Sequence, residues 1–256
     1  MAAPVINEAP LVAFTMDFET GGLKCQTSAC TQIAIHATRL DTFEKIGSYV
    51  SYIRPYDRKE IKGVGSTKKV LRSKYEAEEK TPMGYEDKAL EYSAITMDML
   101  YDQGKPIEQV GKEVCEFIAA MTPKCGKNKK PFFIGQNVPF DEGFFCQLME
   151  YSGMIKEVQK YLRGHEDFYG HWHPLYVDTI VLGQFALPNE SSYKLELMCE
   201  KLGIDLDDAH DADADVSATT NVAMVLTKRM RNANGSDEGD ELQVSKAEKS
   251  RKHFKI

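Results

Sequence analysis

Three short stretches of this 256-residue chain hold side chains that could do chemistry together. The first is "FTMDFETGG" at positions 14–22, where Asp17 and Glu19 stand two residues apart behind an apolar run. On a β-strand, residues i and i+2 project from the same face. Two carboxylates so placed repel unless a cation sits between them, and Mg2+ and Mn2+ favour such hard oxygen ligands. A solvated strand end would also accommodate the pair. The second stretch is "FIGQNVPFDEGFF" at 133–145, in which a strand ends at Asn137 and Asp141 opens the next helix. There the helix dipole and simple capping are rival explanations for the acid. The third is "AHDADADVSAT" at 209–219, with His210 and Asp215 five apart. On one continuous helix that spacing turns them roughly 140° from each other. They share a site only if His210 lies on a loop and Asp215 in the first turns of the helix. Asp211 and Asp213 keep an acid-rich helix start open as the alternative.

These residues need a scaffold, and the hydrophobic pattern supplies one. Residues 11–16 (LVAFTM) form a short apolar run of the kind buried strands carry, and "TQIAIHATRLD" and "KIGSYVSYIRP" alternate like strands. "PIEQVGKEVCEFIAAM" (106–121) sets Val110, Val114, Phe117, Ile118 and Met121 at helical spacing. "PFFIGQN" predicts a strand, "DEGFFCQLMEYSG" a helix, and "LYVDTIVLGQF" a strand running into a helix. "YKLELMCEKLGI" predicts a helix with a Gly stop, and "DADVSATTNVAMVLTKRM" another with Val216, Thr219, Ala223 and Leu226 on one stripe. Strands first, then strands alternating with helices, describe a mixed α/β sheet with helices on its faces.

Two segments fall outside this plan. Residues 54–80 are basic-rich with little apolar periodicity, an inserted arm that either guides a strand through Lys68, Lys69, Arg72 and Lys74 or is a solvated decoration. Residues 231–256 begin "RNANGSDEGDE" and end "KAEKSRKHFKI", the composition of a disordered linker with a basic, aromatic-tipped end. Such a linker tethers a domain and raises its effective concentration at a partner.

Composition narrows the class. With 42% hydrophobic and 28% charged residues the chain has the make-up of a soluble globular protein. A net charge of −7 argues against a simple nucleic-acid-binding module, whose affinity rests on Lys and Arg at phosphates. It is compatible with an enzyme whose acids hold cations. No apolar run reaches the roughly 18 residues of a membrane span, and the N-terminus lacks a secretory pattern, so a cytoplasmic location is expected. The 6 cysteines form no CxxC pair and are expected as free thiols. Neither Cys25/Cys30 nor "HWHP" (171–174) has companions at metal-ligand spacing, so the latter is expected to be surface.

The order of the motifs is more specific than any one of them. "DFETGG", "GQNVPFDEGFF" and "HDADADVSAT", over about residues 11–228 without the insertion, resemble the DEDDh 3′–5′ exonucleases, the family of the proofreading epsilon subunit of bacterial DNA polymerase III and of oligoribonuclease. "EYSAITMDML" stands where that family often has a His-Gly-Ile-Thr loop, and "VDTIVLGQ" and "YKLELMCEKLGI" also match in order. The resemblance implies a ribonuclease H-like mixed β-sheet flanked by helices, in a single exonuclease domain at 11–230 with an insertion at about 54–92. A short extension (1–10) would precede it and a flexible tail (231–256) follow it. It further implies that Asp17, Glu19, Asp141 and Asp215 hold two divalent cations, Mg2+ or Mn2+, with His210 as general base. The implied reaction releases nucleoside 5′-monophosphates from single-stranded DNA 3′ ends, as in polymerase proofreading. Thr20, Gly21, Ile95, Thr96, Asn137 and Phe140 are the implied substrate contacts, while Phe144 is expected in the core. The implied partners are a nucleic-acid 3′ end and a DNA polymerase or replication protein held through the tail.

The chain departs from the family pattern at Ser93-Ala94, in place of His-Gly, and at Asp213, where an apolar residue is common. An RNA-trimming exoribonuclease remains the alternative within the class. A catalytically idle docking module of a replication complex is the alternative from another class, and the presence of all five key residues counts against it.

Overall fold

The computed structural model describes residues 10–59, 81–124, 129–206 and 211–233. Three strands, β1 (Val12–Thr20), β2 (Cys30–Arg39) and β3 (Lys45–Tyr52), form an antiparallel meander. Helices α1 (Asp87–Tyr92), α2 (Met97–Gln103) and α3 (Ile107–Met121) follow, then β4 (Phe132–Gly135), α4 (Val138–Tyr151) and α5 (Ile155–Val158). A small hairpin, β5 (Gly164–Glu166) and β6 (Trp172–Pro174), precedes β7 (Tyr176–Asp178), α6 (Thr179–Ala186), α7 (Leu195–Leu202) and α8 (Ala212–Ala233). β4 pairs parallel to β1, and β7 parallel to β4, giving the sheet order β3-β2-β1-β4-β7. This is the mixed, helix-flanked sheet that the hydrophobic pattern implies.

Alternation along β1 decides what faces what. Phe14, Met16 and Phe18 point into the main core, where Val114 and Ile118 of α3 and Phe144, Phe145 and Leu148 of α4 close over them. The odd-numbered residues point the other way: Ala13 packs with Ala223 of α8, and Thr15 accepts a hydrogen bond from the Thr220 hydroxyl at 2.8 Å. Both faces of β1 are therefore covered, which is why its apolar run is nearly continuous. The same alternation turns Asp17 and Glu19 toward α8. A register shift between Glu19 and Thr20 interrupts the β1–β2 ladder beside them before it closes at the Thr20–Cys30 pair.

The arm is described only at its base. Arg58 N–H donates to Thr81 O at 2.7 Å and Met83 N–H to Tyr56 O at 3.2 Å, so its two ends run against each other. Lys59 fastens this neck by donating to Glu108 Oε1 (2.5 Å) and Tyr151 O (2.7 Å). Residues 60–80, with Lys68, Lys69, Arg72 and Lys74, lie outside the described residues, as do 1–9 and 234–256. Where the sequence suggested one insertion over 54–92, residues 87–92 form α1 and Leu90 packs with Ile95 and Leu100. A helix of 6 residues has too few turns to show a period in sequence. No helix among the described residues is long and apolar enough to cross a membrane.

Candidate active site

β1 and α8 bring the distant acidic motifs together. Carboxylate oxygens of Asp17, Glu19 and Asp215 all lie within 4.8 Å of one another, although the sequence separates them by almost 200 positions. Asp141 joins from the first turn of α4 and is buried at 3% exposure. It is not the cap that its position suggested. The helix begins at Val138, and Asp141 Oδ1 instead accepts the Phe18 N–H of β1 at 3.1 Å. That bond ties the α4 acid to the backbone between Asp17 and Glu19.

The electrostatics follow from crowding. Burial, then the charges of Asp215 and Asp211, push the Asp17 carboxyl up to about 7. Burial followed by the charges of Asp17, Asp215 and Asp211 raises Glu19 to about 9. Burial and Asp17 hold Asp141 well above the usual carboxylate range, against the lowering effect of the Phe18 N–H. Without a cation, protons must therefore share the site at neutral pH. A divalent cation would displace them, and a set of convergent carboxylate oxygens is the donor type that hard cations take. Among the described residues no other trio of His, Cys, Asp or Glu side chains converges in this way. His210 lies outside the described residues, which resume at Asp211 just before α8.

Most of the expected substrate contacts also have structural duties. Thr20 is buried and its hydroxyl donates to Gly22 O at 2.9 Å. A Cβ on Gly21 would come within 2.4 Å of Gly84 O, so the small residue admits the chain's own segment 84–86. Ile95 is buried beside Leu90 and Leu100, and Thr96 caps α2 by accepting Met99 N–H at 3.2 Å. Ala94, Ile95 and Thr96 nonetheless line a surface pocket of about 310 Å³ with Asp87, Leu90 and Glu91. Asn137 takes the left-handed conformation (φ 56°) at the α4 N-cap, a geometry Asn tolerates. Phe140 is half-buried with its ring centroid 5.1 Å from Phe144, which is in the core as expected.

Some site residues were not evident from sequence. Asp178 accepts from Asn137 N–H (3.2 Å) and Val138 N–H (3.1 Å) at the start of α4 and from Ile180 N–H (2.9 Å) in α6. One carboxylate thus fixes two helix starts, including the one that carries Asp141. Its signal was the acid before "TIVLGQ", a helix-start pattern. Gln147, 3% exposed on α4, donates to Cys25 O and Ser28 O and accepts from the Tyr56 hydroxyl at 2.6 Å. It braces the β1–β2 turn, and no local signal marks such a long-range contact. "HWHP" is more built than a surface run: His173 Nδ1 sits 2.6 Å from Glu142 Oε1, His171 Nδ1 3.3 Å from Asp167 Oδ2, and Trp172 packs on the core.

Comparison with known proteins supports the same architecture. Escherichia coli exonuclease I, in a crystal structure with a dT13 oligonucleotide, superposes with a TM-score of 0.61 at 19% identity, covering 88% of this chain and 42% of that one. Its complex with the SSB C-terminus superposes with a TM-score of 0.58 at 18% identity over the same shares of the two chains. The PolC-type DNA polymerase III of Bacillus cereus is 27% identical over 139 residues, 54% of this chain and 8% of that protein. The chain thus spans less than half the length of each. No family model matches it. These likenesses show the fold: the chain shares the mixed, helix-flanked sheet of the exonuclease I structures, and Asp17, Glu19 and Asp215 gather at one end of its β1.

Proposed function

We propose that the chain is a metal-dependent 3′–5′ exonuclease that releases nucleoside 5′-monophosphates from single-stranded DNA. The observation that carries this reading is the convergence of Asp17, Glu19 and Asp215 within 4.8 Å, with buried Asp141 bonded to the strand between the first two. In this reading these four carboxylates hold two divalent cations, Mg2+ or Mn2+. When bound, the cations would supply charge stabilisation for the attacking water and for the leaving 3′ oxygen.

The chain's own groups do the rest. The four acids fix the charge count of the site, and Asp141 also holds β1 in register with α4 through the Phe18 N–H. His210, immediately before Asp211, would take the proton from the attacking water; an imidazole with an ordinary pKa of about 6.5 suits that role near neutral pH. The pocket at Ala94–Thr96 is edged by Asp87 and Glu91, so it would favour the terminal base over a phosphate. Gly21 and Thr20 shape the turn beneath the terminal nucleotide from within the protein. Asn137 and Phe140 would shape the α4 side of the cleft.

DNA is favoured as the substrate because exonuclease I is seen with dT13 and the PolC-type relative is a DNA polymerase. Action with a polymerase or a single-strand-binding protein, through residues 231–256, in the cytoplasm, belongs to the same reading. A 5′-labelled single strand of DNA, and one of RNA with matched sequence, tests it in Mg2+, Mn2+ or chelator. The expected result is a ladder shortening from the 3′ end of the DNA, lost in chelator and in Asp17→Ala and His210→Ala. Faster shortening of the RNA would reassign the substrate. Intact strands of both kinds with metal present would overturn the reading and favour a docking module.

A further inference from the structure

We infer that Gln32 and His36 of β2 are positioning residues that latch the first turn of α8, and with it Asp215, against the acids of β1; this rests on the metal-site reading above. In the β1–β2 ladder Glu19 lies opposite Gln32, Asp17 opposite Ala34 and Thr15 opposite His36. Residues 32, 34 and 36 therefore share the face that carries the acids, and each meets the start of α8. Gln32 Nε2 donates to Asp211 Oδ1 at 3.1 Å while its Oε1 accepts Ala212 N–H at 3.3 Å. Ala34 packs against Ala212 and Val216. His36 Nε2 lies 2.6 Å from Asp213 Oδ1.

Gln32 and His36 are 3% and 2% exposed, and neither has reason to be polar inside a sheet except these contacts. Asp211 closes the arrangement by accepting Ala214 N–H at 3.3 Å, as an N-cap does. The polar strand residues thus grip the helix start from both sides of a small apolar contact. Asp215 enters the cluster one helical turn beyond Asp211, and His210 lies one residue before it. The latch also accounts for Asp213 at a position where an apolar residue was expected: it has His36 as its partner across the interface. An aliphatic pair in the same two places would hold the helix by packing instead.

Mn2+ binding by the full chain, titrated by the electron paramagnetic resonance of free Mn2+, tests this without depending on cleavage. Melting in chelator and far-ultraviolet circular dichroism report folding separately. Gln32→Leu and His36→Leu should fold cooperatively yet bind Mn2+ about 10-fold more weakly, the loss typical when groups that orient metal ligands are removed. The His36→Leu/Asp213→Leu double variant should regain most of what His36→Leu alone loses, since it restores a matched contact. Gln32→Met serves if Gln32→Leu does not fold. Folded single variants with wild-type Mn2+ affinity would overturn the latch, as would a double variant no better than His36→Leu. Wild-type protein that binds Mn2+ and cleaves no nucleic acid would sink the nuclease reading and leave the same titration to decide the latch. Wild-type protein that binds no Mn2+ would sink both.

Discussion

Replacing Asp17 by Asn should stabilise the metal-free protein while removing its capacity to bind metal. The wild-type carboxyl stands at about 7 in the folded chain against an ordinary 3.8. A carboxyl with a raised folded pKa takes up a proton on folding, so its contribution is fully present below about 4 and is lost as pH rises through about 7. At about 1.4 kcal/mol per pKa unit, ionising Asp17 inside the fold costs on the order of 4 kcal/mol. Protons redistribute over Glu19 and Asp141 once Asp17 is gone, so an observed gain of about 2–4 kcal/mol is expected above pH 8. For a chain of this size that is roughly 5–15 °C in Tm.

The assay is thermal melting in chelator from pH 4 to 9, repeated with Mn2+. In chelator the two proteins should melt alike near pH 4 and diverge as pH rises, with Asp17→Asn the more stable. The wild-type curve should keep falling toward pH 9, because Glu19 titrates at about 9. With Mn2+ the order should invert, since only the wild type gains from the ion. An Asp17→Asn protein that is less stable than wild type in chelator at pH 8 would refute the electrostatic reasoning. So would a difference that does not change with pH.

Substitutions at three further positions probe the scaffold. Ala94 adopts φ 53°, in the left-handed region that glycine accepts freely, so Ala94→Gly should raise stability by about 1 kcal/mol in chemical denaturation. Asp178→Ala strips the acceptor from three backbone N–H groups and should cost roughly 2–4 kcal/mol. It should also weaken Mn2+ binding, because α4 and Asp141 lose their anchor; Asp178→Asn should lose less of both. Gly21→Ala sets a Cβ against Gly84 O, within 2.4 Å of backbone, and should lower stability by about 2 kcal/mol or more, read by melting.

Much of this site was legible because its pieces are local. The spacing of Asp17 and Glu19 needs only strand alternation to put both on one face, and the stripe from Val216 to Leu226 identifies α8 by period alone. Their convergence was not a local property; it came from the order of the motifs. What local pattern left open has physical causes. Asp141 resembled a cap because acids at helix starts usually are caps, whereas here the helix begins earlier and the side chain reaches across to β1. Gly21 and Thr96 show why sequence alone does not reveal a residue's contacts: the close approach of Gly84 to Gly21 and the cap that Thr96 gives α2 are made by structure that no local pattern announces. Gln32, His36, Gln147 and Asp178 act across more than 25 positions each, on partners that no window of sequence contains.

The central claim is that Asp17, Glu19, Asp141 and Asp215 form one cage for divalent cations. Anomalous diffraction at the manganese edge from crystals soaked in Mn2+ tests it most directly. Manganese peaks bound by these four carboxylates are expected, together with their loss in Asp17→Asn crystals. A strong Mn2+ peak elsewhere with none at these acids would contradict it.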